Sequence, residues 1–78
     1  MSKGEVYRGH VNWFSAPKGY GFITCEQLGR DVFVHFQQII SDATYRSLNQ
    51  GQLVEFELVT VPKGVEAGNV RVIEEVMA

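Results

Sequence analysis

Lys18-Gly19-Tyr20-Gly21-Phe22-Ile23, answered after a short polar interval by Val32-Phe33-Val34-His35-Phe36, is the pair of segments on which the fold turns. In both, rings alternate with glycine or branched apolar residues at a period of two. That is the periodicity of a β-strand, whose successive side chains point to opposite faces. Tyr20 and Phe22 then share one face, and Gly21 and Ile23 the other. In the second segment Val32 and Val34 point one way, and Phe33 and His35 the other. Ile23, Val32 and Val34 make an ordinary core face. The opposite face carries Tyr20, Phe22, Phe33 and His35, with Lys18 at one end. A contiguous exposed apolar patch on a small protein marks a binding surface. Flat rings beside a cation suit stacked bases and a phosphate backbone. The alternative, strands buried on both faces, requires a second layer over the rings, which 78 residues are too few to build.

A chain of 78 residues is expected to form one domain over 1–78. Apolar residues make up 45% of it, an ordinary fraction for a folded chain rather than a disordered one. No apolar run approaches the ~20 residues of a membrane span, and Met1-Ser2-Lys3-Gly4 leads into no apolar targeting segment. The single Cys25 cannot close an intramolecular disulfide and lacks the paired spacing of a metal site, so it is expected to be a half-buried strand residue. These features predict a cytoplasmic protein with no membrane association, no metal and no cofactor.

The net charge of −2 excludes a purely electrostatic nucleic-acid binder. The charges are unevenly spread. Residues 1–40 hold Lys3, Arg8, Lys18 and Arg30 against Glu5, Glu26 and Asp31, whereas residues 41–78 hold six acids against Arg46, Lys63 and Arg71. The ring-bearing half is the less acidic one. Binding through it has to rest on stacking, with few phosphate contacts.

Outside the two ring segments, a first strand is expected over 6–14. Trp13 and Phe14 are adjacent and cannot share a face in a regular strand, so a bulge or sharp coil is predicted at 12–14. Ser15-Ala16-Pro17-Lys18-Gly19 reads as a turn. The second strand runs from Tyr20 to Cys25 or Glu26, with Gly21 leaving room for a close approach. A connection at 27–30 leads into a third strand over 31–36. A short helical turn is predicted at 37–40, then a longer loop containing Tyr45, anchored by Ile39, Ile40 and Leu48. A fourth strand over 52–61 turns Val54, Phe56 and Leu58 inward and its acids outward. A loop over 62–68 and a fifth strand over 69–74 complete the chain. Five short strands suggest an all-β sandwich or barrel. Closing them into a barrel removes exposed edges, as in the oligonucleotide/oligosaccharide-binding (OB-fold) architecture.

Gly9-His10-Val11-Asn12-Trp13-Phe14, Lys18-Gly19-Tyr20-Gly21-Phe22-Ile23 and Asp31-Val32-Phe33-Val34-His35-Phe36 closely resemble the cold-shock domain, including its two ribonucleoprotein motifs. The resemblance runs over roughly residues 6–73. It implies a five-stranded antiparallel OB-fold barrel that binds single-stranded RNA and single-stranded DNA with low sequence specificity. It further implies an RNA chaperone that melts weak secondary structure, and a role in transcription or translation. By the same resemblance the base-stacking residues are Trp13, Phe22, Phe33, His35 and Phe36, with Tyr20 where a phenylalanine is usual and Phe14 at the edge of the patch. Lys18 matches a backbone-contacting lysine, and Lys63 lies where the last loop often carries a basic residue. Asn12 stands where lysine is common, so one phosphate contact gives way to a hydrogen bond. Arg30, in a connection one residue longer than usual, is the residue that could compensate. Tyr45 corresponds to a loop phenylalanine, in a loop that is also longer. The 74–78 extension has no counterpart.

Two other classes remain to be weighed. A small nuclease would use His35 with Lys18 or His10, but no second acid or base is well placed on the ring face and no metal-ligand spacing exists. A protein-binding or oligosaccharide-binding barrel shares the architecture. A carbohydrate site, however, wants carboxylates and amides around one or two rings, and this patch is nearly all rings. A monomer is expected, with domain swapping through the long loop left open.

Overall fold

The computed structural model describes residues 5–41 and 46–75. Five strands, β1 (Val6–Ser15), β2 (Tyr20–Cys25), β3 (Arg30–His35), β4 (Leu53–Val61) and β5 (Gly64–Glu74), close into a barrel in the order β1-β2-β3-β5-β4. A 3-10 turn, Phe36–Gln38, follows β3. This is the OB-fold arrangement, and in it every strand has a paired neighbour on both sides.

The pairs β1–β2, β2–β3, β1–β4 and β4–β5 are antiparallel. The closing pair, β3–β5, is parallel, with Phe33 opposite Glu66. The expected five-stranded antiparallel barrel thus carries one parallel contact at its closure, for a reason of parity. Strand directions cannot alternate all the way around a closed ring with an odd number of members, so one neighbouring pair has to run the same way.

The core follows the alternation of the strands. Val11, Ile23, Val32, Val34, Val54, Phe56, Ala67 and Val70 are buried, and Ile39 and Leu48, from the chain that links β3 to β4, join the same core. Cys25, expected to be half-buried, is wholly inside, and its thiol lies 3.5 Å from the Arg8 carbonyl oxygen. Ile40 does not anchor the chain: it is 47% exposed, and only its backbone is tied in, donating to the Val70 carbonyl. Its neighbour Ile39 takes the core position because the extended residues that follow the 3-10 turn alternate in facing.

The fifth strand is longer than its apolar pattern suggests. It begins at Gly64, so the expected loop over 62–68 shrinks to a tight turn, and Val65, Glu66 and Ala67 pair with Thr60, Val59 and Leu58. Gly64, Glu66 and Gly68 hid this pairing, since two glycines and an acid carry no strand signal of their own. Register shifts within the β4–β5 ladder bend both strands around the barrel.

Candidate nucleic-acid interface

The site begins with the bulge in β1. The pairing with β2 runs Val11 opposite Ile23 and then Trp13 opposite Phe22, so Asn12 is the extra residue. Val11 is buried, while Trp13, two residues on, is 41% exposed. A regular strand would put both on one face. The bulge turns Trp13 outward and puts Phe14 on the inner side, opposite Gly21. Gly21 makes that possible, because a Cβ there would lie 2.6 Å from the Phe14 Cα.

The β2–β3 register then sets Tyr20 opposite His35 and Phe22 opposite Phe33. Four rings thus meet on the outer face. Trp13 lies 5.7 Å from Tyr20 and 5.6 Å from Phe22, ring centre to ring centre. Phe33 lies 5.7 Å from Tyr20 and 5.7 Å from Phe22. Tyr20 and Phe33 are within 26° of coplanar, whereas the Phe22–Phe33 pair is edge-on at 78°. These spacings lie in the range where aromatic pairs attract, so the rings hold one another in place before any ligand arrives. Tyr20, Phe22, Phe33 and His35 are half-buried.

His35 and Phe36 extend the row. Their ring centres are 4.7 Å apart, and Phe36 is 38% exposed. The His35 Nδ1 accepts from the Gln37 N–H at 3.3 Å, which assigns the proton of the neutral ring to Nε2. Phe36 is held by its own N–H, which donates to the Gly19 carbonyl at 2.8 Å.

At the other end stands a polar group. Asp31 accepts from the Thr24 hydroxyl at 2.9 Å and from the Asn12 side-chain amide at 3.3 Å. Asn12, in the bulge, is therefore tied to a carboxylate by a hydrogen bond. Sequence reasoning passed over Thr24 and Asp31. Their strand parity, the same as that of Phe22 and Phe33, was the available signal.

The remaining expected site residues divide. Lys18 is exposed in the turn before β2, its backbone N–H donating to the Ser15 hydroxyl. Lys63 sits in the β4–β5 turn and lines a groove of about 320 Å³ with Phe22 and Phe33. Phe14 packs against the core, so it is not part of the ring surface. Arg30 opens β3 opposite Cys25 and is exposed, with the parity of Val32 and Val34 rather than that of the rings. Tyr45 lies outside the described residues. Among those residues no group of His, Cys, Asp or Glu side chains could hold a metal ion, and no helix is long and apolar enough to cross a membrane.

A five-stranded barrel with a pre-set row of rings on its β1–β3 face can be compared with known proteins. The family model of the "Cold-shock" DNA-binding domain matches residues 7–73. The chain belongs to the cold-shock domain family. It is 52% identical over 69 residues to a cold shock-like protein of Aquifex aeolicus, covering 88% of this chain and 97% of that one. A cold shock-like protein of Thermotoga maritima is 48% identical over 67 residues, covering 86% and 98% of the two chains. The cold shock-like protein CspC of Bacillus cereus is 52% identical over 63 residues, covering 81% and 94%. Among solved structures, Drosophila Unr CSD456 superposes with a TM-score of 0.75 at 19% identity. The match covers 96% of this chain and 29% of that one, a likeness of fold alone. Cold-shock domains are nucleic-acid-binding proteins and not enzymes, and the nuclease alternative falls with that assignment.

Proposed function

We propose that this cold-shock domain binds single-stranded RNA and single-stranded DNA across the β1–β3 face and acts as an RNA chaperone that melts weak secondary structure. The observation that carries the reading is the uncovered ring row: Trp13 and Phe36 are exposed, and Tyr20, Phe22, Phe33 and His35 lie half-buried on the same face. Each ring offers a base a flat face, worth about 1–3 kcal/mol by truncation. A base in a duplex has both faces covered by its neighbours, so the row recognises only unstacked bases. Binding the single strand draws weak hairpins toward their open form by mass action, without ATP. Regulation of transcription or translation follows where such a hairpin is the signal. Placement in the cytoplasm and action as a monomer are parts of the same proposal.

Lys18 and Lys63 are the cations at the rim of the row, so phosphate contacts are few. The reading is tested by titrating the Trp13 fluorescence with a short oligothymidine at several salt concentrations. Strong quenching is expected, with a log–log salt slope of about −1.4 to −2.1, as for two or three phosphate contacts on a single strand. A folded protein that shows no quenching with any single-stranded oligomer would overturn the proposal and favour a protein or oligosaccharide ligand.

A further inference from the structure

The groove beside Phe22 and Phe33 is bounded on its far side by the β4–β5 hairpin, through Val61, Lys63, Val65 and Glu66. Glu66 stands directly opposite Phe33 in the parallel β3–β5 pair. It is half-buried in the groove wall. Among the described residues its carboxylate takes part in no hydrogen bond or ion pair. Asp31, also near Phe33, differs: both of its oxygens already accept, from Thr24 and from Asn12.

An unpaired carboxylate is an odd neighbour for a polyanion. It repels phosphate and can only accept hydrogen bonds. It fits a nucleic-acid groove if what reaches it is a base edge carrying donors. Single-stranded bases expose their Watson–Crick edges, and those edges differ. Uracil and thymine offer one N–H between two carbonyl oxygens, each of which a carboxylate repels. Cytosine and adenine offer an amino group beside a ring nitrogen acceptor. Guanine alone offers two adjacent donors, N1–H and the N2 amino group, which a carboxylate can take with its two oxygens.

We infer that the groove between Phe33 and Glu66 is a guanine-selective subsite, with the base stacked on the phenylalanine and its N1–H and N2 amino group donating to the Glu66 carboxylate. This rests on the single-strand reading above and adds a base preference to one position of an otherwise indifferent row. Lys63, the cation lining the groove, is placed for the phosphate that the carboxylate turns away.

The test compares three hexanucleotides by Trp13 fluorescence: hexauridylate, the same strand with one central guanosine, and the same strand with inosine there. Inosine keeps N1–H and lacks the N2 amino group. The guanosine strand is expected to bind about fivefold to tenfold tighter than hexauridylate, in keeping with the discrimination of a bidentate base contact, and the inosine strand to fall between. In Glu66→Gln the guanosine-to-uridine ratio should drop to within about twofold, since an amide replaces one of the two acceptors. Equal binding of all three strands by the wild-type protein, or a guanosine preference that survives Glu66→Gln, overturns the inference while leaving single-strand binding intact. If Glu66→Gln does not fold, the inosine comparison decides on the wild type, and inosine equal to guanosine counts against the subsite. Failure of all three strands to bind would instead remove the single-strand reading and this inference with it.

Discussion

The ring of Phe36 occupies the space over Gly19: its Cδ1 lies 2.7 Å from where a Gly19 Cβ would stand, and its N–H donates to the Gly19 carbonyl at 2.8 Å. Gly19 also sits at φ +77°, where side chains are strained. The turn that launches β2 and the ring that ends the binding row are thus one packing unit. Gly19→Ala should lower stability by about 1–2 kcal/mol through the backbone alone. It should also push Phe36 aside and weaken oligonucleotide binding. Chemical denaturation and the Trp13 titration, run on the same variant, separate the two effects. Unchanged affinity would show that Phe36 does not need its seat on Gly19.

Gly21 is a different case. A Cβ there would lie 2.2 Å from the Trp13 carbonyl oxygen and 2.6 Å from the Phe14 Cα, and both are backbone atoms that cannot swing away. Gly21→Ala should force β1 and β2 apart and cost at least ~3 kcal/mol, at the upper end of overpacking penalties. In a domain this small that is a large share of the total stability. A thermal melt checks it, and a variant that melts near the wild-type temperature would contradict the close approach of the two strands.

Phe33→Ala should weaken single-strand binding by about 1–3 kcal/mol while the barrel stays folded. Phe33 is half-buried on the outer face, and Val32 and Val34 on either side hold β3 to the core. Trp13 reports the binding and far-ultraviolet circular dichroism reports the fold. Normal affinity in a folded Phe33→Ala protein would place the interface elsewhere on the barrel.

Asn12→Lys would break the hydrogen bond to Asp31 and put a cation at the end of the ring row. The log–log salt slope should steepen by about 0.7, one more phosphate contact on a single strand, with tighter binding at low salt. A slope that does not change would mean the bulge points position 12 away from the strand's backbone.

Among the described residues, Phe56 is the largest side chain wholly inside the barrel. Phe56→Ala should cost about 3–5 kcal/mol and leave little folded protein at room temperature. Urea denaturation measures this. A small loss would mean that neighbouring side chains collapse into the vacated space.

The amino-acid sequence by itself determined the strands that alternate cleanly. The period-two patterns at 20–25 and 31–35 contain their own facing, so the four residues Tyr20, Phe22, Phe33 and His35 were legible as one surface, and Ile23, Val32 and Val34 as core. The conflict between adjacent Trp13 and Phe14 was enough to demand a bulge. Tertiary structure decided which of the two rings won the outer face. That choice depends on Gly21, which sits opposite Phe14 and has no side chain to exclude it. It also decided where β5 begins, because Gly64, Glu66 and Gly68 enter a strand only when β4 is there to pair with them. The parallel β3–β5 contact, and with it the placing of Glu66 beside Phe33, is a consequence of closing five strands into a ring. Local periodicity carries facing within a strand. It carries nothing about which strand lies next door, and here the neighbour decides what Phe14, Arg30 and Glu66 can do.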